Sequence, residues 1–188
     1  MMEDTIYLLK NNGVGVILTD TIYGLVGSAM SKKVVDRIYK LKQRNENKSL
    51  IILISSIDDL KKFDVKITDK AKSFMQQYWP GKVSIILPFT NTKYEYLDKV
   101  GDNTLAFRIP NKDDLIAIIK ETGPLVAPSA NPEGMPPAKK ISEAKKYFGE
   151  DVDFYFDEGE AISLPSTLVK IDGEKIDILR QGAVKIVI

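Results

Sequence analysis

Short apolar runs alternate along the chain with stretches whose apolar residues recur at helical spacing. VGVIL (14–18), LIILI (50–54), VSIIL (83–87), TLAFRI (104–109) and PLVA (124–127) read as strands. Between them, Val34, Val35, Ile38, Tyr39 and Leu41 share one side of a helix that Ser31 can cap. Ser56 or Asp58 starts a short helix. Ala71, Phe74, Met75 and Tyr78 fall at i, i+3, i+4 and i+7 behind Thr68, and Pro80-Gly81 stops that helix. Asn111 stands where it would cap DDLIAIIKE, which Gly123 ends, and Ser142 where it would cap a last helix ending near Gly149. TLVKIDGEKIDIL reads as a hairpin about Asp172-Gly173, and VKIVI as a closing segment. The alternation predicts an α/β fold, and the hairpin predicts a sheet that is not purely parallel.

Length adds a boundary. A chain of 188 residues is expected to form one domain, residues 1–188, and to hide roughly 70% of its unfolded surface. The longest apolar runs are far shorter than the ~20 residues a membrane helix needs. MMEDTIYLLK carries acids where a secretory leader carries positive charge, so the expected location is the cytoplasm.

Composition removes much of the catalytic menu. The sequence has no histidine and no cysteine. That excludes a Ser-His-Asp triad, a Cys-His pair and an imidazole-bound zinc. Chemistry is left to carboxylates, Lys, Arg, Tyr, hydroxyls, amides and the backbone. The net charge of +1 is uninformative, but its distribution is not. Residues 31–50 hold Lys32, Lys33, Arg37, Lys40, Lys42, Arg44 and Lys48 against Asp36 and Glu46, whereas GEDVDFYFDEGE (149–160) holds acids and no base. One region attracts an anion and the other repels it.

In open α/β sheets, ligands lie beyond strand ends. Four stretches fit that placement: TDTIYG after VGVIL, KQRNENK before LIILI, PSAN after PLVA, and RQG after KIDIL. Each has two readings. Lys42, Arg44 and Lys48 either complement a helix C-terminus or converge on a polyphosphate. PSAN is either a turn or a hydroxyl and an amide offered to a phosphate or purine. In TLAFR, Thr104, Ala106 and Arg108 face away from Leu105 and Phe107, so Arg108 meets either water or a carboxylate in a cleft. TDTIYG is either a strand-to-helix connection capped by Asp20 or Thr21, or a presentation of small polar groups. Ser166 and Thr167 either enter the hairpin as β-formers or belong to the site. There is no phosphate loop of the GxxxxGK kind and no GxGxxG.

Taken in order, LTDTIYGL (18–25), KQR (42–44), SL (49–50), WPGKVSIIL (79–87), LAFRIP (105–110), PLVAPSANPEG (124–134), PST (165–167) and ILRQG (178–182) resemble the YrdC-type family, the threonylcarbamoyl-AMP synthases. The resemblance covers nearly the whole chain and is closest to the short, single-domain form. It departs at Leu18, Asn45 and Ser49, where the family carries proline, and at a histidine this chain lacks. The three prolines stiffen loops rather than supply a functional group.

The resemblance implies a twisted open sheet of mixed parallel and antiparallel strands with flanking helices and a basic concave face. It implies the reaction L-threonine + bicarbonate + ATP → threonylcarbamoyl-AMP + pyrophosphate, serving threonylcarbamoyl-adenosine modification of tRNA. By resemblance, Thr19, Tyr23, Arg108, Ala127 and Ser166 hold threonine, with Arg108 on its carboxylate. Lys42, Arg44, Thr104, Ser129, Asn131 and Arg180 hold ATP, and Lys42 with Arg44 carry the catalytic charge. Mg2+ accompanies the ATP, no protein metal site is implied, and the product passes to a tRNA threonylcarbamoyl transferase machinery. Gly24 would allow close approach of the substrate. Two competing readings stand beside this one: a double-stranded RNA-binding protein that uses the 31–50 charge, and a diverged relative without synthase activity.

Overall fold

The five apolar runs become β1 (Gly15–Leu18), β3 (Ile51–Leu53), β4 (Val83–Pro88), β5 (Thr104–Arg108) and β6 (Leu125–Val126), the hairpin becomes β8 (Thr167–Asp172) and β9 (Lys175–Arg180), and two strands the sequence did not announce are β2 (Tyr23–Ser28) and β7 (Phe154–Tyr155). The computed structural model describes residues 2–44 and 48–187. Among these residues the nine strands form one open sheet in the order β7-β1-β2-β6-β3-β5-β4-β8-β9. Its pairings are mixed. β1–β7, β3–β5 and β4–β8 run parallel, and the other neighbours are antiparallel. Part of the KQRNENK turn, Asn45 included, lies outside the described residues.

Five helices flank the sheet: α1 (Met2–Lys10), α2 (Lys32–Leu41), α3 (Asp69–Tyr78), α4 (Asp113–Thr122) and α5 (Ile141–Phe148). Two 3-10 segments, Ile57–Phe63 and Thr92–Leu97, complete the larger core. Strand alternation sorts the apolar residues by face. Val16, Leu25, Ile52, Ile85, Phe107 and Val169 pack on one side, with α2, α3 and α5. Ile17, Val26, Leu53 and Leu125 pack on the other, against Leu9 of α1 and Leu115, Ile118 and Ile119 of α4. These two helices cover only the β1–β2–β6–β3 half of their face. Among the described residues no helix packs over the β5–β4–β8–β9 half, and this opening positions the site.

Four local expectations change. TDTIYG does not connect to a helix: Thr19 N donates to Ile22 O at 3.1 Å and the chain turns straight back as β2. Lys112, not Asn111, is the N-cap of α4, and the Asn111 backbone N–H donates to Asp20 Oδ2 at 3.1 Å. Lys140, not Ser142, is the N-cap of α5, since burying Ile141 starts that helix one residue before the serine. The hairpin turns about Gly173-Glu174 rather than Asp172-Gly173, with Asp172 paired to Lys175 and Gly173 at φ 58°.

Candidate active site

The uncovered half-face is the floor of a cavity of about 560 Å³. That is within the roughly 300–1,000 Å³ of small-molecule sites. Ile86, Thr104, Ala106, Arg108 and Leu168 form the floor, each projecting from the face opposite the larger core. The β1–β2 turn (19–24), the 127–129 segment, Ser166, Arg180, Arg44 and Lys48 form the walls.

Arg108 is the most buried cation of the cavity lining, 3% exposed. One guanidinium nitrogen donates to Thr21 Oγ1 at 3.0 Å and lies 3.3 Å from Asp20 Oδ1. Among the described residues Arg108 Nε and Asp20 Oδ1 have no hydrogen-bond partner. Burial pulls Arg108 below the ordinary guanidinium range, Asp20 pulls it back, and Arg180 adds to the lowering. An arginine does not give up its proton in a protein, so the charge stays. A buried guanidinium that lines a cavity is a charge that a substrate carboxylate can pair with. Arg180 is lowered by burial and then by the charge of Arg44. Arg108, Arg180 and Arg44 therefore form a row of mutually repelling cations, joined at the rim by Lys48, and such a row favours a polyanion.

Thr19 shapes the turn. Its hydroxyl meets Thr21 Oγ1 at 2.9 Å and donates to Ile22 O at 2.8 Å. Tyr23 lines the cavity, but its hydroxyl is committed to Gly159 O at 2.8 Å and accepts from Glu158 N at 3.2 Å. Burial, then nearby Asp157 and Glu158, raise this phenol, so it keeps the proton it donates. Gly24 is not demanded by its surroundings: a Cβ there would meet Thr19 Cγ2 at 3.4 Å and Ala127 Cβ at 3.6 Å, ordinary contacts. It would instead fill cavity space. Gly182 is different, since a Cβ there would sit 2.2 Å from Pro165 O and 2.6 Å from Ser166 O. The Gly182 amide donates to Thr167 Oγ1 at 2.9 Å, Arg180 donates to Ser166 O at 2.9 Å, and Ser166 Oγ meets Ser84 Oγ at 2.9 Å. PST and RQG are thus one knot that fixes Ser166 and Arg180 together.

Thr19, Tyr23, Arg44, Thr104, Arg108, Ala127, Ser129, Ser166 and Arg180 meet at this cavity. Lys42 and Asn131 are not in its lining. Lys42 is 1% exposed, and its ammonium is bound by backbone oxygens of Ser129 and Asn131. Asn131 donates its amide to Pro132 O at 2.8 Å and Met135 O at 2.7 Å. The sequence reading missed Thr21 as the partner of Arg108 and Asp102 as the cavity's carboxylate. Asp102 accepts from Thr104 Oγ1 at 2.6 Å and from Lys170 at 3.0 Å. Among the described residues no three His, Cys, Asp or Glu side chains cluster as metal ligands.

Known proteins match this arrangement. The Sua5/YciO/YrdC family model, described as "Telomere recombination", matches residues 7–182. A Bacillus subtilis protein named threonylcarbamoyl-AMP synthase is 31% identical over 94% of this chain and 52% of its own length. A Marinobacter nauticus protein of the same name is 30% identical over 75% of each chain. The crystal structure of Pyrococcus abyssi Sua5 complexed with L-threonine superposes with a TM-score of 0.89 at 26% identity, over 96% of this chain and 54% of that one. The chain spans about half the length of the Bacillus and Pyrococcus proteins. A match that runs from α1 through the Ser166–Gly182 knot, over a sheet of the same form, makes this chain a member of the Sua5/YciO/YrdC family.

Proposed function

We propose that the protein is a nucleotidyltransferase that makes L-threonylcarbamoyl-AMP and pyrophosphate from L-threonine, bicarbonate and ATP. One observation carries the reading: the buried guanidinium of Arg108 shares one cavity with the charges of Arg180, Arg44 and Lys48. That is a carboxylate site beside a polyphosphate site. Relatives named for this activity and a neighbour bound to threonine support it.

The chemistry needs no protein nucleophile. The threonine amine adds to CO2 with loss of a proton, or to bicarbonate with loss of water, to give a carbamate. A carbamate oxygen then forms a bond to the α-phosphorus as the bond to the pyrophosphate oxygen breaks, and pyrophosphate leaves with that electron pair. Arg108 grips the threonine carboxylate, and Thr19, Ala127 and Ser166 enclose the rest of it. Arg180, Arg44 and Lys48 balance charge that grows on the departing phosphates, with Thr104 and Ser129 on the nucleotide. Positioning and preorganised charge are the expected sources of rate. The nucleotide enters as its magnesium complex, with the ion carried by the phosphates.

A role as a double-stranded RNA binder is weaker. In the 31–50 segment Lys42 is buried, Lys32 is paired with Asp36, Arg37 with Asp153 and Lys48 with Glu133. Transfer of the product to tRNA by a downstream transferase, and a cytoplasmic location, accompany the synthase reading. Mass-spectrometric detection of threonylcarbamoyl-AMP in a mixture of protein, Mg-ATP, L-threonine and bicarbonate tests it. Absence of that product over a range of enzyme concentrations would reject it.

A further inference from the structure

We propose that Lys42 is a positioning residue: it holds the 128–131 segment in the register that presents Ser129 to the cavity, and does not itself touch the nucleotide. This deepens the synthase reading and rests on it.

Segment 128–131 runs beside β2 as an extended chain. Pro128 O accepts from Leu25 N at 2.8 Å and Ala130 N donates to Tyr23 O at 2.8 Å. Successive carbonyls of an extended chain point opposite ways, so those of Ser129 and Asn131 cannot also pair with β2. A buried carbonyl without a donor is costly. Ser129 O accepts from Asn131 N at 3.0 Å, and Lys42 adds to that bond and serves Asn131 O, donating from one ammonium to Ser129 O at 2.5 Å and Asn131 O at 2.6 Å, with Asn131 Oδ1 at 3.5 Å. Its own carbonyl accepts from Glu133 N at 2.7 Å. The C-terminus of α2 and the 128–133 segment are therefore stitched twice. With three N–H groups facing three oxygens, nothing is left over for a phosphate.

Among the described residues, the charges facing this ammonium are Arg44 from its own segment and Glu133 from the loop beyond Asn131, with Lys48 paired to that carboxylate. Burial and then Arg44 draw Lys42 down to about 7, while Glu133 draws it up. Below that pH three donors serve three oxygens. Above it the amine has two, and the grip on the segment weakens.

The test reads the segment with no nucleotide present, then the nucleotide. Amide resonances of Ser129, Ala130 and Asn131 are followed in ligand-free protein from pH 6 to 8.5, in wild type, Lys42→Arg, Lys42→Met and Glu133→Gln. ATP binding is measured over the same range by calorimetry, with the nucleotide's own ionisation common to all variants. In wild type the amides should shift with a midpoint near 7, and ATP affinity relative to Lys42→Arg should fall along the same curve. Glu133→Gln, at a half-buried position beside Lys48, should move both midpoints to lower pH. Lys42→Met should displace the amides at every pH and weaken ATP by roughly tenfold. If Lys42→Met does not fold, the wild-type and Glu133→Gln titrations still decide. Segment amides that ignore pH across 6–8.5 in wild type, or a Lys42→Met protein that keeps them in place yet loses ATP, would overturn the proposal. A wild-type protein that binds no ATP at any pH would reject the synthase reading instead, while the ligand-free titration still judged Lys42.

Discussion

Arg108 concentrates the account at the scale of one residue. Its planar fork can grip a carboxylate with two bonds, which lysine cannot copy. Arg108→Lys should raise the threonine KM at least tenfold and leave the ATP KM within about threefold, on the order of one to two bonds to a charged group. Steady-state kinetics against each substrate checks this, and equal effects on both would move Arg108 out of the amino-acid pocket. Asp20 supplies the countercharge 3.3 Å away. Asp20→Asn leaves a buried cation partly uncompensated, and breaking such a pair costs about 3–5 kcal/mol. Because the substrate carboxylate restores the missing charge, threonine should raise the melting temperature of Asp20→Asn more than that of wild type. Differential scanning fluorimetry with and without threonine decides it. Gly24→Ala makes the opposite forecast. The fold should melt within a degree or two of wild type, because the added Cβ meets only ordinary contacts, yet the threonine KM should rise as the methyl fills the cavity beside Thr19 and Ala127.

Elements whose burial follows one period were legible in the sequence. β1 and β3 are near-continuous apolar runs because helices cover both faces, whereas β5 alternates, with Thr104, Ala106 and Arg108 on the cavity. α2, α3 and α4 carry apolar stripes between recognisable ends. β2 was hidden, since YGLVGS opens on a tyrosine and is broken by Gly24 and Gly27, so no period shows. α1 was hidden because only Thr5 and Leu9 are buried. Lys42 was misread for a related reason: a lysine at a helix end looks like a solvated cation, and only the path of 128–131 reveals the carbonyls that bury it. The Ser166–Gly182 knot joins two elements that the sequence offered separately. Gly182→Ala forces the backbone of Pro165 and Ser166 to move, so it should cost about 1–3 kcal/mol, the scale of an overpacked site. It should also raise the threonine KM by displacing Ser166. Urea denaturation with parallel kinetics tests both, and a stable variant with unchanged KM would separate the knot from the site.

Across the whole molecule, site residues from 19 to 180 converge because the strand order folds the two ends of the chain around one half-covered face. No local pattern contains that order. The sequence of motifs conveyed it only through resemblance to a family. The proposed reaction fixes an order of events: the amine captures CO2 before anything attacks ATP. Pyrophosphate release should therefore need threonine and bicarbonate together. An enzyme that activated the carboxylate of its amino acid would need no bicarbonate, and an RNA-binding protein would release nothing. The decisive measurement is pyrophosphate release from the purified protein with Mg-ATP in CO2-depleted buffer, omitting threonine, bicarbonate or both. Release in the complete mixture, with near-background rates in every omission, is the result this account predicts. Undiminished release without bicarbonate would contradict it.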